Sequence, residues 1–471
     1  MTERPPPAPA NDHPQELTSE QADATIRSKR YAVLLVVVAV IGVIVSLAAW
    51  CFLEAIHQIQ QELYTHLPHA FGYSGAPPKW WPLPILAVGA LITAIAIRYL
   101  PGEGGHVPAK GLAVGGGAGP KVLPGVLLAG LGTIGFGLVL GPEAPLIALG
   151  AGVATLTILA ARRDSPQQML MVVGAAGSFA AVSFIFASPL IAAVILIEAA
   201  GLGGPRLRVV LVPGLLAAGI GTLVSIGMGS FTGLSSSAYA LGALSLTPAA
   251  HPHLGEFAWT IALAGAIGVV TSFAIRGGLL THSFVSRRQL LALLPVVGLI
   301  TGGLAIAFSQ ITGKGFSEVL FSGQDQLPGL VSQAGTWSVA ALAWLVVFKG
   351  IAYSVSLGSL RGGPTFPALF LGAAAGIMAS HLPGFPIQAG VAVGMGAATV
   401  AVLRLPLSAV VIATLLTTHA TSNVEPLIIV GVVVAYIVTL LLARSPAPAS
   451  DTAPVPPPAP TPQLAAGMTR R

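Results

Sequence analysis

Charge is what this chain lacks most. Only 8% of its 471 residues are Asp, Glu, Lys or Arg, against about 25% in an ordinary soluble domain. The scarcity is sharper in the middle: nine charged residues fall in 1–30 and four in 444–471, leaving 25 for the 413 positions between. So few charges cannot cover a water-facing surface. The deficit excludes a soluble enzyme, a disordered protein and a nucleic-acid binder. The net charge of +6 reads as membrane topology and not as a nucleic-acid footprint. Cysteine is nearly absent too. A single residue, Cys51, excludes an internal disulfide framework and a multi-cysteine metal site. It lies in an apolar run and reads as a small packed residue. No cleavable secretory signal is expected either: residues 1–30 are polar and proline-rich, and the first apolar run is too long.

What is present is apolar. Hydrophobic residues make up 54% of the chain and form successive stretches between 31 and 443. Many are long enough to cross about 30 Å of hydrocarbon; others are short and broken among 57 glycines and 38 prolines. The pattern predicts an all-α, multi-pass integral membrane protein built from tilted and discontinuous helices. Residues 1–29 read as a disordered tail, 30–444 as one transmembrane domain, and 445–471 as a proline-rich disordered tail around Pro454–Pro460. Arg27, Lys29 and Arg30 before the first span favour a cytoplasmic N-terminus. Arg162-Arg163, Arg287-Arg288 and Arg444 fit a cytoplasmic C-terminus.

The chain also repeats itself. Gly141-Pro142-Glu143-Ala144-Pro145 and Gly363-Pro364-Thr365-Phe366-Pro367 open two copies of one pattern, G-P-x-x-P-x-x-x-L-G-A. Pro189-Leu190-Ile191-Ala192-Ala193-Val194-Ile195 is echoed by Pro406-Leu407-Ser408-Ala409-Val410-Val411-Ile412, at nearly the same separation. Two motifs in the same order argue for two related halves, roughly 30–230 and 255–444. Matching broken helices in two halves point to a central transport site. A helix that starts inside the membrane leaves first-turn N–H groups that must be satisfied, and the positive end of its dipole favours an anion. Two such ends facing each other form an anion site with no full cation, which would hold the ion too tightly to release it. Glu143 sits at the start of one such helix, where an ionisable group is costly and usually functional. Its carboxylate is itself an anion. It can occupy the site, block the path, and leave when protonated. The bland alternative is a helix-terminus carboxylate that only stabilises the fold.

These residues resemble the CLC family of chloride channels and chloride/proton antiporters, of the prokaryotic type without appended regulatory domains. Gly141–Pro145 is similar to the family's G-[KR]-E-G-P element, with its gating glutamate at Glu143. Gly363–Pro367 is similar to G-x-F-x-P. Gly104-Gly105-His106-Val107-Pro108 looks like a degraded G-S-G-I-P. The resemblance implies a CLC-type fold of two inverted-topology helical repeats with re-entrant helices. It also implies a homodimer with a pore in each subunit, and chloride or a similar small anion bound by amides around residues 105–107, 143–144 and 365–366. No cofactor or metal is implied. The departures are specific. The hydroxyl ligand of the first motif falls at Gly105, the usual Phe of the third is Thr365, and Pro142 and Pro364 each remove one donor. The family's pore tyrosine on the last helix has no match. The internal proton-relay glutamate falls at Ala199, with Glu198 one residue earlier and turned about 100° around a helix. The expectation leans towards a passive, voltage- or pH-modulated channel, with proton antiport as the alternative.

Lys349, in an apolar run, could raise the potential along the anion path, snorkel, or pair with a carboxylate such as Glu198. His106 could be a pore-mouth pH sensor or a plain loop histidine. An intramembrane hydrolase is a distant alternative. Gly72-Tyr73-Ser74-Gly75 matches a serine pattern, but it lies between apolar runs beside Pro77 and Pro78, where a turn is expected.

Overall fold

In the computed structural model, residues 18–443 are described, apart from 74, 76, 113–118, 202–203, 233–239, 286–288 and 421. The C-terminal tail, most of the N-terminal tail, Ser74, Arg287-Arg288 and Arg444 lie outside the described residues. The first half comprises α1 (Ser19–Ile26), α2 (Lys29–Gln61), α3 (Leu67–Ala70), α4 (Pro82–Tyr99), α5 (Leu123–Gly130), α6 (Glu143–Ala161), α7 (Gln167–Phe186), α8 (Pro189–Ala200) and α9 (Gly204–Thr232). The second comprises α10 (Leu254–Phe284), α11 (Leu290–Thr312), α12 (Leu327–Ser332), α13 (Val339–Ser359), α14 (Thr365–Ala379), α15 (Ile387–Leu403), α16 (Pro406–Leu416) and α17 (Glu425–Leu442). Among the described residues, nine helical segments are long and apolar enough to cross a membrane, while α8, α14, α15 and α16 are shorter.

Local chemistry sets the boundaries. Ser28 caps α2 by accepting from the amide of Tyr31, and Ser338 caps α13 by accepting from Ala341. Pro142 and Pro364 occupy the cap position before α6 and α14, so Glu143 and Thr365 are the first helical residues. The apolar run 167–200 is not one helix. Ala187 adopts φ 46° and ends α7, and Ser188 caps α8 through the amide of Ile191. At the N-terminus, residues 19–26 form a helix where the sequence suggests disorder. The Thr18/Gln21 capping box nucleates it, and Arg208 on α9 holds it through Asp23 at 3.2 Å.

Small residues bring the central helices together. In a bilayer, lipid tails are as apolar as leucine, so helices associate by close packing. α6 lies on α7 with Gly150 against the backbone of Gly177, and α14 lies on α15 with Gly372 against Gly394. A Cβ at any of these four glycines would overlap a carbonyl of the facing helix. The second pair repeats the first at the offsets of the two sequence motifs. The turn before α16 repeats the turn before α8: Ala187 has φ 46° and Arg404 has φ 57°, each two positions ahead of its Pro-Leu copy. Left-handed non-glycine residues are uncommon, so a pair matched in this way is strong internal evidence of duplication. Residues 389–403 of α15 are buried on every side, which makes α14 and α15 the interior. Outer helices such as α2, α9 and α10 leave large apolar residues exposed.

Candidate functional site

Gly141 and Gly363 meet directly. Each donates its amide to the other's carbonyl, Gly141 N to Gly363 O at 2.7 Å and Gly363 N to Gly141 O at 2.5 Å, as an isolated antiparallel bridge. The two motif loops are thereby tied together, and α6 and α14 start from this knot. The amides of Gly141 and Gly363 are spent on the bridge, and Pro142, Pro145, Pro364 and Pro367 have none. The first turns therefore offer two free amides each: Glu143 and Ala144 on one side, Thr365 and Phe366 on the other.

The Glu143 carboxylate lies among them. The side chain is 2% exposed. Its Oε1 accepts from the amide of Thr365, and the carboxylate also faces the Thr365 hydroxyl and the amides of Phe366 and of Glu143 itself. Oε2 is buried without a hydrogen-bond partner, an arrangement that native interiors rarely tolerate. Two bare glycines make room: a Cβ on Gly141 would overlap Oε2, and one on Gly363 would overlap the carboxylate carbon. Phe366, which follows Thr365, stacks on Phe186 at the end of α7, with ring centroids 5.1 Å apart. The Tyr353 hydroxyl, on α13, donates to the carbonyl of Pro364 at 2.6 Å. A pocket lined by His57, Gln60, Ser322, Gln324 and Asp325 has Pro142 in its wall; the C-terminal part of α2 forms one side of it.

The first-motif loop is placed differently. Gly102 to Gly105 all have positive φ, including Glu103 at 52°, and the amide of Gly105 closes a turn onto Gly102. No hydrogen bond joins Gly104–Pro108 to Glu143 among the described residues. The link to the third motif is Arg361, two residues before Gly363 and 6% exposed, whose Nε donates to the Glu103 carbonyl at 3.1 Å. His106 is held below its ordinary pKa, first by desolvation and then by the charges of Lys110 and Arg361, with backbone hydrogen bonds at Gly111 and Lys110 pushing the other way.

Two of the singled-out side chains are committed elsewhere. Lys349 is fully buried and its ammonium shares its three protons among four successive carbonyls, those of Glu318, Val319, Leu320 and Phe321, at 2.8–3.3 Å. It also lies 4.5 Å from the Phe370 ring centre. Glu198 does not pair with it. Glu198 accepts instead from the amides of Leu407 and Ser408 and from the Ser408 hydroxyl, at 2.6–3.0 Å, and so caps α16. Ala199 beside it lies in the last turn of α8. Ser178, the buried serine of α7, donates to the carbonyls of Ile147 and Gly174. The sequence reading missed Tyr353, Arg361 and Phe186. For Tyr353 and Arg361 the available signal was a polar group in an apolar stretch, which must find a partner when buried; Phe186 carried none.

Two inverted helix starts meeting head to head inside an apolar bundle, with a carboxylate lodged between them, define an integral membrane protein of the anion-transport class. The family model described as "Voltage gated chloride channel" matches residues 88–440, and the chain belongs to that family, the CLC family. "Putative ion-transport protein YfeO" of Escherichia coli strain 55989 is 28% identical over 356 residues, spanning 74% of this chain and 79% of that one. The protein of the same name from Shigella boydii serotype 4 matches to the same extent, 28% over 356 residues. Among solved structures, a slow cyanobacterial Cl⁻/H⁺ antiporter superposes with a TM-score of 0.66 at 18% identity, covering 87% of this chain and 97% of that one. A CLC-type fluoride/proton antiporter superposes with 0.59 at 16% identity, covering 87% and 95%. The fold is thus the CLC fold of two inverted helical repeats.

Proposed function

We propose that this protein passes chloride or a similar small anion across a bacterial inner membrane through a pore in each subunit of a homodimer, both tails being cytoplasmic, with Glu143 as the gate. The observation that carries the reading is the Glu143 carboxylate held by α14's free amides in a cradle two glycines leave open. A carboxylate oxygen and a halide are alternative occupants of one set of donors. When Glu143 is ionised it fills the site; when protonated it loses its attraction to the amides and yields to the anion. Transport therefore rises as pH falls.

Passive conduction is the favoured mode. Ala199 cannot relay a proton, and Glu198 is engaged in capping α16. The proton-coupled alternative is separated by one measurement. Purified protein in liposomes is given a chloride gradient without a proton gradient, and pH is followed. The expected result is chloride flux with no stoichiometric proton movement; uphill proton movement rejects the channel mode and installs antiport. In the same liposomes, Glu143→Gln should conduct with a flattened pH profile. Unchanged rate and unchanged pH dependence in that variant would remove Glu143 from the gate. A panel of chloride, nitrate, bromide and fluoride then sets the preferred ion, since Gly105 offers no hydroxyl to discriminate among them.

A further inference from the structure

We infer that Tyr353 is a positioning residue of the anion site: it braces the Pro364–Thr365 peptide so that this peptide's N–H points at the ion. The inference rests on the reading of that site given above. A trans peptide unit is planar, and its C=O and N–H point in opposite directions. The carbonyl of this unit receives the Tyr353 hydroxyl at 2.6 Å, and the N–H donates to Glu143 Oε1. Both ends of one rigid plate are thus fixed, one by the phenol and the other by the occupant of the site. The phenol is 1% exposed, so this hydrogen bond is shielded from bulk water.

Two effects follow. The plate cannot rock about its long axis, so the amide stays aimed when the carboxylate leaves and an anion arrives. A hydrogen bond accepted by the carbonyl also polarises the peptide and strengthens its N–H as a donor. Among the described residues the brace belongs to one half. At the spacing that relates Thr365 to Glu143, the counterpart of Tyr353 in the first half is Leu131, which has no hydroxyl. The half that supplies the gating carboxylate lacks the brace, and the half that receives the carboxylate has it. Tyr353 is not itself an anion ligand here, because its only proton is spent on Pro364.

The test uses the full-length protein carrying Glu143→Gln, which removes the competing carboxylate. Chloride binding is titrated calorimetrically at constant ionic strength. Adding Tyr353→Phe should weaken chloride affinity about fivefold, the scale of one lost hydrogen bond. In the protein with native Glu143 the same substitution should change the apparent affinity less, because the competing carboxylate loses the same donor. A purely structural tyrosine would not produce that difference between backgrounds. Incorporating 3,5-difluorotyrosine at position 353 keeps the shape and makes the phenol a stronger donor, so chloride should bind more tightly; this arm holds even if the Phe variant does not fold. Chloride affinity unchanged by both substitutions overturns the brace alone. No chloride binding by the Glu143→Gln parent overturns the anion-site reading and the brace with it.

Discussion

Gly141 and Gly363 serve Glu143 by having no side chain. Neither adopts a left-handed φ, so an alanine fits the backbone at both positions, and the obstacle is the carboxylate. At Gly363 the nearest neighbours of an added Cβ are all atoms of Glu143. Gly363→Ala should therefore push the carboxylate out of its cradle, raising chloride flux at pH 7.5 towards that of Glu143→Gln and flattening the pH profile. Placed on Glu143→Ala, the same substitution should add little. Liposome efflux across pH 5–8 checks both statements, and an inactive Gly363→Ala that Glu143→Ala fails to rescue would show that the glycine serves the bridge instead. At this scale the sequence was informative where chemistry is written in residue type. A lone glutamate between two prolines in an apolar run announces itself. Tyr353 did not, because the carbonyl it meets lies on the far side of a helix end, and nothing in sequence spacing marks that contact.

Elements are held in register by groups that, in sequence, look like pore machinery. Lys349 spans from α13 to the loop 318–321, and that loop packs back on the approach to the second motif through Phe321 N to Gly137 O at 2.8 Å. Removing the ammonium takes the donor from four carbonyls, of which those of Val319 and Leu320 are buried. Lys349→Met should lower stability by about 3 kcal/mol, read as a drop in the detergent unfolding midpoint, while the anion preference of the surviving protein stays put. A change in selectivity with stability intact would return Lys349 to the ion path. Glu198 ties α8 to α16, the two equivalent short helices. Glu198→Ala removes an N-terminal cap and should cost about 1 kcal/mol without altering chloride flux or inducing proton movement. The sequence placed both residues on helices correctly. It could not give their partners, because the Lys349 ammonium is held mostly by backbone carbonyls, which residue type does not mark, with the Glu318 carboxylate as its charged neighbour.

For the whole molecule, duplication was readable from two motifs, and the structure adds matched contacts at the same offsets. Gly150 against Gly177 and Gly372 against Gly394 set how closely the central helices approach. Gly150→Val and Gly372→Val should each abolish folded, monodisperse protein in size-exclusion chromatography, since a branched side chain would have to occupy the space of a carbonyl on the facing helix. If either variant eluted as the native protein did, the close approach would not be required. What sequence left unread were the exact place of a break and the state of one end. The apolar residues from 167 to 200 divide at a left-handed alanine that hydropathy cannot see, and α1 forms where composition suggested disorder, because a capping box and a contact with α9 outweigh it.

The paired hydrogen bonds between Gly141 and Gly363 fasten the two repeats beside the Glu143 carboxylate, where the proposed ion path runs. A transporter that works by swinging one half away from the other would have to tear this clasp at every turnover, in a medium that offers its amides no substitute partner. In the gating proposed above, only a single acidic side chain needs to travel. A covalent staple locking the repeats together at their rims should therefore leave ion passage running.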